Sequence, residues 1–181
     1  MGAGFGGRGS EVSAERQLAI DRLFSEFRIP DPDREKWQMQ LADLGHQMRS
    51  VIRRHRDIVP VTLGPLPVSP VALRFYERSL AVLRAGGLPD DLAVASLHLL
   101  WVMVNGFTIH EDMQAAGHEI DRELTPLVGG YFKSLPRDRF PSLVAVADQF
   151  GGFDLDRRFT LMLDLFTAGL ATRAKPTLPL A

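Results

Sequence analysis

The chain has 181 residues, enough for one globular domain with a sizeable core. Its formal net charge is -1 and charged residues make up 24% of the sequence, so the bulk charge gives no sign of a nucleic-acid-binding surface. There is no cysteine, which excludes disulfides and thiolate metal sites and permits a reducing cytoplasm.

Apolar residues recur at intervals of three and four along the chain, and no strand pattern or fixed-period repeat is present. This predicts an all-α fold. We interpret residues 13–174 as one helical domain, preceded by a flexible glycine-rich leader at residues 1–12 and followed by a tail at residues 175–181. The leader does not resemble a signal peptide, because no basic region precedes an apolar core.

The first helix is predicted over residues 13–27, with Ser13 as its N-cap. Asp33 is expected to cap a second helix that reaches about His55. Its apolar face comprises Trp37, Leu41, Leu44, Met48, Val51 and Ile52. Its opposite, solvent-facing side comprises Gln40, Asp43, Gln47, Arg49, Arg53 and Arg54.

Proline and glycine place the next boundaries. Residues 59–70 form an irregular connection, Ser69-Pro70 begins the third helix, and Gly86-Gly87 ends it. Asp90 and Asp91 suit the first turn of a fourth helix. Residues 92–109 carry no charge, which raises a membrane span as an alternative, but polar residues interrupt the run and a buried central helix is the preferred interpretation.

The remaining pattern is weaker. A shorter helix is predicted over residues 119–134, broken near Pro126 or at Gly129-Gly130, and another over residues 141–150. Asp154 is expected to cap the last helix. One stripe of that helix comprises Leu155, Phe159, Met162, Phe166 and Leu170.

Short motifs occur in a characteristic order: His55-Arg56-Asp57 with Leu63-Gly64 and Pro67, Leu80-Ala81-Val82-Leu83 with Gly87, Gly106 with Glu111, and Leu165 with Gly169-Leu170. Together they resemble the C-terminal domain of tetracycline-repressor-type transcription regulators, over residues 18–172. The resemblance implies a helical domain that binds a small effector among its central helices. It also implies a homodimer, built as a four-helix bundle from two C-terminal helices of each subunit.

In that family a helix-turn-helix domain precedes this one and contacts DNA. No such pattern precedes Ser13, so we expect DNA contact only through a domain missing from this chain and no specific duplex binding by the chain itself. Truncation, a misassigned start and true loss of the domain all remain open.

The resemblance also places a ligand pocket. Leu44 and Met48 stand where the tetracycline repressor has Asn and Phe, and Thr62 and His110 where it has its magnesium-binding His and Glu, so tetracycline recognition is not expected. We expect a small, largely hydrophobic effector and no cofactor. The predicted ligand-binding residues are Leu44, Met48, Thr62, Tyr76, Ser79, Leu97, His98, Trp101 and Asn105. The alternative is that the apolar residues are plain core and that His98 and Asn105 are buried polar groups satisfied by neighbours.

The predicted dimer contacts are Leu143, Phe159, Met162, Phe166 and Leu170. We predict that the last helix and the helix over residues 141–150 carry the interface. No metal site is expected from His110, Glu111, Asp112 and His118, since they lack ligand spacing and fit a solvated helix end. Arg53, Arg54 and Arg56 are interpreted as a solvated basic face.

No nucleophile elbow, Walker sequence or dinucleotide loop is present, so the sequence does not point to an enzyme. A helical scaffold, or a small-molecule-binding protein with no role in DNA binding, is the alternative to a regulator. No membrane partner is expected, and the expected location is the cytoplasm.

Overall fold

The computed structural model describes residues 17–56, 68–116, 127–150 and 154–174, and every regular element within these ranges is helical. The predicted all-α fold is confirmed. The helices are α1 (residues 17–25), α2 (Trp37–Arg54), α3 (Pro70–Ala85), α4 (Asp90–Ala116), α5 (residues 127–134), α6 (Pro141–Ala145) and α7 (Leu155–Ala171), with a 3-10 turn at Ala147–Phe150.

The chain divides into two compact units. The first unit comprises Met1–Thr108 together with Leu163–Ala181, and the second comprises Ile109–Met162. The larger core belongs to the first unit. All six apolar residues predicted for the inner face of α2 are buried there, which confirms the helical period of that segment.

Helix α2 begins one turn later than predicted. Asp33 does not cap it; instead its Oδ1 accepts hydrogen bonds from the backbone N–H of Glu35 (2.9 Å) and Lys36 (3.3 Å) and closes a turn just before the helix. A short aspartate side chain bonds readily to the backbone two residues on, which favours such a turn. At the other boundary, α1 ends at residue 25 rather than 27, and Ser13 lies outside the described residues.

Two glutamines hold the segment between α1 and α2 along the side of α2. Gln47 accepts from the backbone N–H of Arg28 (2.8 Å) and donates to the carbonyl of the same residue (2.9 Å). Gln40 accepts from the N–H of Asp33 (3.1 Å) and donates to the carbonyl of Asp31 (2.8 Å). Each side-chain amide therefore both accepts from a backbone N–H and donates to a backbone carbonyl. The sequence pattern placed these glutamines on the side of α2 opposite its apolar face, but it did not show that they bind the backbone of the preceding segment.

The predicted start of α3 is confirmed, since the Ser69 hydroxyl accepts from the N–H of Ala72 at 3.2 Å and Pro70 is the first helical residue. Its predicted end is also confirmed. Gly87 has a φ of 82°, in the left-handed region that favours glycine. The N–H of Leu88 bonds to the carbonyl of Leu83 at 3.4 Å, as in a Schellman stop.

Gly86 has a different reason to be glycine. Its backbone is right-handed, but a Cβ atom there would lie 2.4 Å from Cδ2 of the Trp37 indole. The ring of Trp37, at the start of α2, thus packs directly on the backbone at the end of α3. This contact fixes the approach of the two helices at one end of the first unit.

Helix α4 is long and apolar enough to cross a membrane by length and composition alone, and 39% of its most apolar window is buried within the protein. The hydroxyls of Ser96 and Thr108 donate to carbonyls one turn earlier, at 2.6 and 2.8 Å. These bonds satisfy polar groups inside an apolar helix. The helix contributes Leu100 and Val104, both fully buried, to the core of the first unit, in agreement with the predicted central helix.

The second unit corrects two boundaries. Gly129 and Gly130 lie within α5 instead of breaking it, and a Cβ atom at Gly129 would lie 3.1 Å from the carbonyl oxygen of Ala147. Glycine allows this close approach. The single helix predicted over residues 141–150 is divided into α6 and the 3-10 turn. Pro126, the other predicted break, lies outside the described residues. Asp154 caps α7 as predicted, accepting from the N–H of Arg157 at 3.0 Å.

Candidate functional site

Three helices of the first unit meet around the ring of Phe24. From α1, this ring contacts Phe75 and Tyr76 of α3, with centroids 4.9 and 5.9 Å away, and stacks on Trp101 of α4 at 5.9 Å and 12°. Phe24 was absent from the predicted pocket, although its place in the apolar stripe of α1 was the available signal. Tyr76 and Trp101 are half-buried, and burial raises the pKa of the Tyr76 phenol above its ordinary value of 10.0.

Two buried polar atoms in the same unit have no protein partner. They are Ser79 Oγ on α3 and Asn105 Oδ1 on α4, the two such side-chain atoms found among the described residues. Ser79 is fully buried and Asn105 is 2% exposed. The Asn105 Nδ2 donates to the carbonyl of Trp101 at 2.8 Å, and since a carbonyl only accepts, this bond fixes which amide atom is the oxygen.

These two atoms are costly as they stand. A buried polar atom that loses its hydrogen bond destabilises a protein by about 1–3 kcal/mol. Ser96 and Thr108 avoid this cost by bonding to their own helix, whereas Ser79 Oγ and Asn105 Oδ1 do not. Both atoms are therefore the strongest candidates for hydrogen bonds to a bound molecule.

The predicted pocket residues differ in burial. Leu44, Met48 and Leu97 are buried in the first unit, with Ser79 and Asn105. His98 is exposed with Val94 and Val102, one turn away on either side, so its burial beside Asn105 is a wrong expectation. The interval of seven residues places His98 and Asn105 on one side of α4, yet only Asn105 is buried. Thr62 lies outside the described residues.

The predicted dimer contacts need a larger correction. Phe159 is 0% exposed and Leu170 is also buried, so these side chains belong to the protomer's own core. Leu163, on the same face of α7, packs on α2, where a Cβ atom at Gly45 would lie 2.6 Å from its Cδ2. Met162, Phe166 and, on α6, Leu143 are half-buried. The predicted stripe is therefore mainly the inner face of α7.

The exposed apolar residues of α7 lie elsewhere on the helix. Leu161 and Leu165 are 54% and 66% exposed. Helix α4 likewise exposes apolar side chains within the first unit, at Val94, Leu99 and Val102. Both helices are thus apolar on more than one face, and each leaves one apolar face uncovered in the single chain.

Comparison with known proteins identifies the family of this chain. Residues 29–174 match the family model described as "Tetracyclin repressor-like, C-terminal domain". The chain belongs to the TetR family. No curated protein sequence matches it.

Solved TetR-family structures support the assignment. ActR from Streptomyces coelicolor in its apo form is 30% identical, with a TM-score of 0.73 over 89% of this chain and 76% of that chain. ActR in complex with actinorhodin is also 30% identical, with a TM-score of 0.75 and the same coverage. The ActR complex with (S)-DNPA is 30% identical, with a TM-score of 0.72 over 87% of this chain and 74% of that chain. TetR-family regulators are soluble transcription factors and generally not enzymes.

The C-terminal end of α4 carries His110, Glu111 and Asp112. No group of three or more metal-ligating side chains occurs in the part of this TetR-family chain that the structure describes. His110 is exposed and its Nε2 lies 3.0 Å from Gln114 Nε2, but Glu111 is 9% exposed, so the solvated helix end expected there was wrong for the glutamate. His118 lies outside the described residues.

Proposed function

We propose that this chain is the effector-sensing and dimerisation domain of a TetR-family repressor. It binds a small, largely hydrophobic molecule in the interior of the first unit, at Ser79 and Asn105. The observation that carries this proposal is the pair of buried polar atoms without a protein partner. The ActR complexes with actinorhodin and (S)-DNPA support it by analogy, since that relative binds small molecules.

The chemistry of the two atoms limits the effector. Asn105 Oδ1 can only accept, so the effector presents a hydroxyl or N–H donor to it. The Ser79 hydroxyl can donate or accept. The rings of Phe24, Tyr76 and Trp101, on helices of the same unit, favour an apolar, flat molecule.

Helix α1 is the proposed output of the sensor. Phe24 connects α1 to both ring-bearing helices, so a molecule that displaces Tyr76 or Trp101 acts on α1 through this ring. In the family, α1 leads to the helix-turn-helix domain that contacts DNA. The effector changes DNA binding only through unequal affinity for the two positions of α1. We expect the regulator to act in the cytoplasm.

The proposed dimer forms through the exposed apolar face of α7 at Leu161 and Leu165, together with the exposed apolar residues of α4. Family membership supports a second copy of the chain as the occupant of this face. This assignment replaces Phe159 and Leu170, which the protomer already buries.

The effector proposal is tested with a pair of probes that differ by one hydroxyl group, 1-naphthol and naphthalene. We expect wild-type protein to bind 1-naphthol about tenfold more tightly in equilibrium dialysis, because its hydroxyl donates to Asn105. Asn105→Leu should remove this preference while retaining naphthalene binding. His98→Leu, an exposed change on the same helix, should leave both affinities unaltered.

Two different results would contradict two different parts of this proposal. If neither probe binds at its solubility limit, no apolar pocket is available and the alternative of a ligand-free helical scaffold is favoured. If both bind and Asn105→Leu keeps the preference for 1-naphthol, the assigned anchor is wrong. Circular dichroism melting of each variant checks that the fold is retained.

A further inference from the structure

A second feature of the first unit lies on the face of α2 that carries Arg49, Arg53 and Arg54. It is an open groove of about 320 Å³. The described residues that line it are His46, Arg49, Ser50, Arg53 and Arg54. They stand at positions i, i+3, i+4, i+7 and i+8 of the helix, so they share one face. The sequence pattern suggested only a solvated basic surface here.

Two of the three arginines are held in place. The guanidinium of Arg54 donates to Ser50 Oγ and to Glu26 Oε2, both at 2.6 Å. Arg49 is 8% exposed, contrary to its predicted solvent-facing position, and its guanidinium carbon lies 5.6 Å from the ring centroid of Phe107. Fixed guanidinium groups lose less conformational entropy when they bind a ligand.

Arg53 completes the positive charge of the groove. It is exposed, and within the described residues it has no hydrogen bond or ion pair. The described lining contains three guanidinium groups and no carboxylate. Like charges gathered on one helix face repel each other, and an anion between them offsets that repulsion.

The geometry points to a binding site for a small oxyanion with two or more negative charges. Guanidinium groups pair with phosphate and carboxylate through parallel hydrogen bonds, so either chemistry fits. A water molecule in the liquid occupies about 30 Å³, and the smallest ligand pockets have a volume of about 300 Å³. The groove therefore has room for a diphosphate or a tricarboxylate.

This site is connected to α1 through Arg54. An anion in the groove competes with Glu26, which follows α1, for the donors of Arg54. Occupancy thus weakens one tie between the end of α1 and α2. The groove and its coupling do not depend on the effector site.

The test uses isothermal titration calorimetry with pyrophosphate and with citrate at about 20 mM salt, where screening is weak. We expect a dissociation constant of about 1 mM or lower for at least one probe, and the tighter probe identifies phosphate or carboxylate as the natural group. Arg53→Gln should weaken that probe about tenfold. Arg74→Gln, which removes the same charge from an exposed site on α3, should not.

A second pair of variants tests the competition. Glu26→Gln should tighten binding about threefold, because Arg54 loses a competing carboxylate, whereas Glu77→Gln, an exposed change of equal charge on α3, should not. Absence of binding by both probes, or equal weakening by Arg53→Gln and Arg74→Gln, would overturn the site. Unchanged or weaker binding in Glu26→Gln, with both probes bound by wild type, would overturn the coupling to α1.

Discussion

At the scale of single residues, two adjacent glycines between α3 and α4 have different physical requirements. Gly87 adopts a left-handed conformation that side chains disfavour. Gly86 has an ordinary helical backbone and is restricted only by the Trp37 ring above it. Substitution of Gly86 therefore tests packing against Trp37 without backbone strain.

Gly86→Ala should destabilise the protein by about 1–3 kcal/mol, because the added methyl group displaces the Trp37 ring from its place on α3. Gly130→Ala, in α5, has nothing within 4 Å of its new Cβ atom and should be neutral or stabilising by up to about 1 kcal/mol. Urea denaturation measures both changes. Equal stability of the two variants would show that Trp37 has space to move.

At the scale of elements, the end of α1 is tied to α2 by charge as well as by the glutamine amides. Glu26 accepts from Arg54 and contacts His55, and these contacts, that of Arg54 first, hold the pKa of the carboxyl below its ordinary value of 4.5. A lowered pKa means that the folded state favours the ionised form. The tie is therefore expected to depend on pH in the acidic range.

The stability contributed by Glu26 should be fully present above about pH 4.5 and should be lost as pH falls through the lowered pKa of the folded state. We expect Glu26→Gln to be less stable than wild type at neutral pH and to approach it at about pH 3. Urea denaturation at the two pH values measures the difference. A constant difference between the proteins would contradict this assignment, and Glu77→Gln controls for loss of an exposed carboxylate.

At the scale of the whole molecule, the two faces of α7 lie in different environments. The face with Leu163 and Leu170 is buried within the protomer, while Leu161 and Leu165 are exposed. An uncovered apolar face on a TetR-family protein favours self-association. The two faces should therefore respond differently to substitution.

Leu165→Arg should convert the proposed dimer to a monomer with little loss of helix content, because the new charge remains solvated in the separate chain. Phe159→Ala should lower the free energy of unfolding by about 3–5 kcal/mol, because it opens a cavity in the protomer. Sedimentation equilibrium and circular dichroism melting measure the two effects. A Leu165→Arg protein that remains a dimer would place the interface elsewhere.

The sequence by itself determined the all-helical fold, the family and several helix ends. The boundaries at Ser69, Gly87 and Asp154 were predictable because caps and stops depend on groups only a few residues apart. Family membership likewise follows from motifs in order along the chain.

Only the tertiary structure decided which faces are buried and which polar groups find partners. Helix α7 is apolar on two sides, so its periodicity could not show that α2 would cover the side with Leu163. The glutamines of α2 bind backbone up to 19 residues away. Whether Asn105 Oδ1 finds a hydrogen-bond partner depends on which helices pack against it, and that is decided only on folding. Burial and hydrogen-bond pairing are properties of contacts between distant segments, and for that reason local sequence patterns could not determine them.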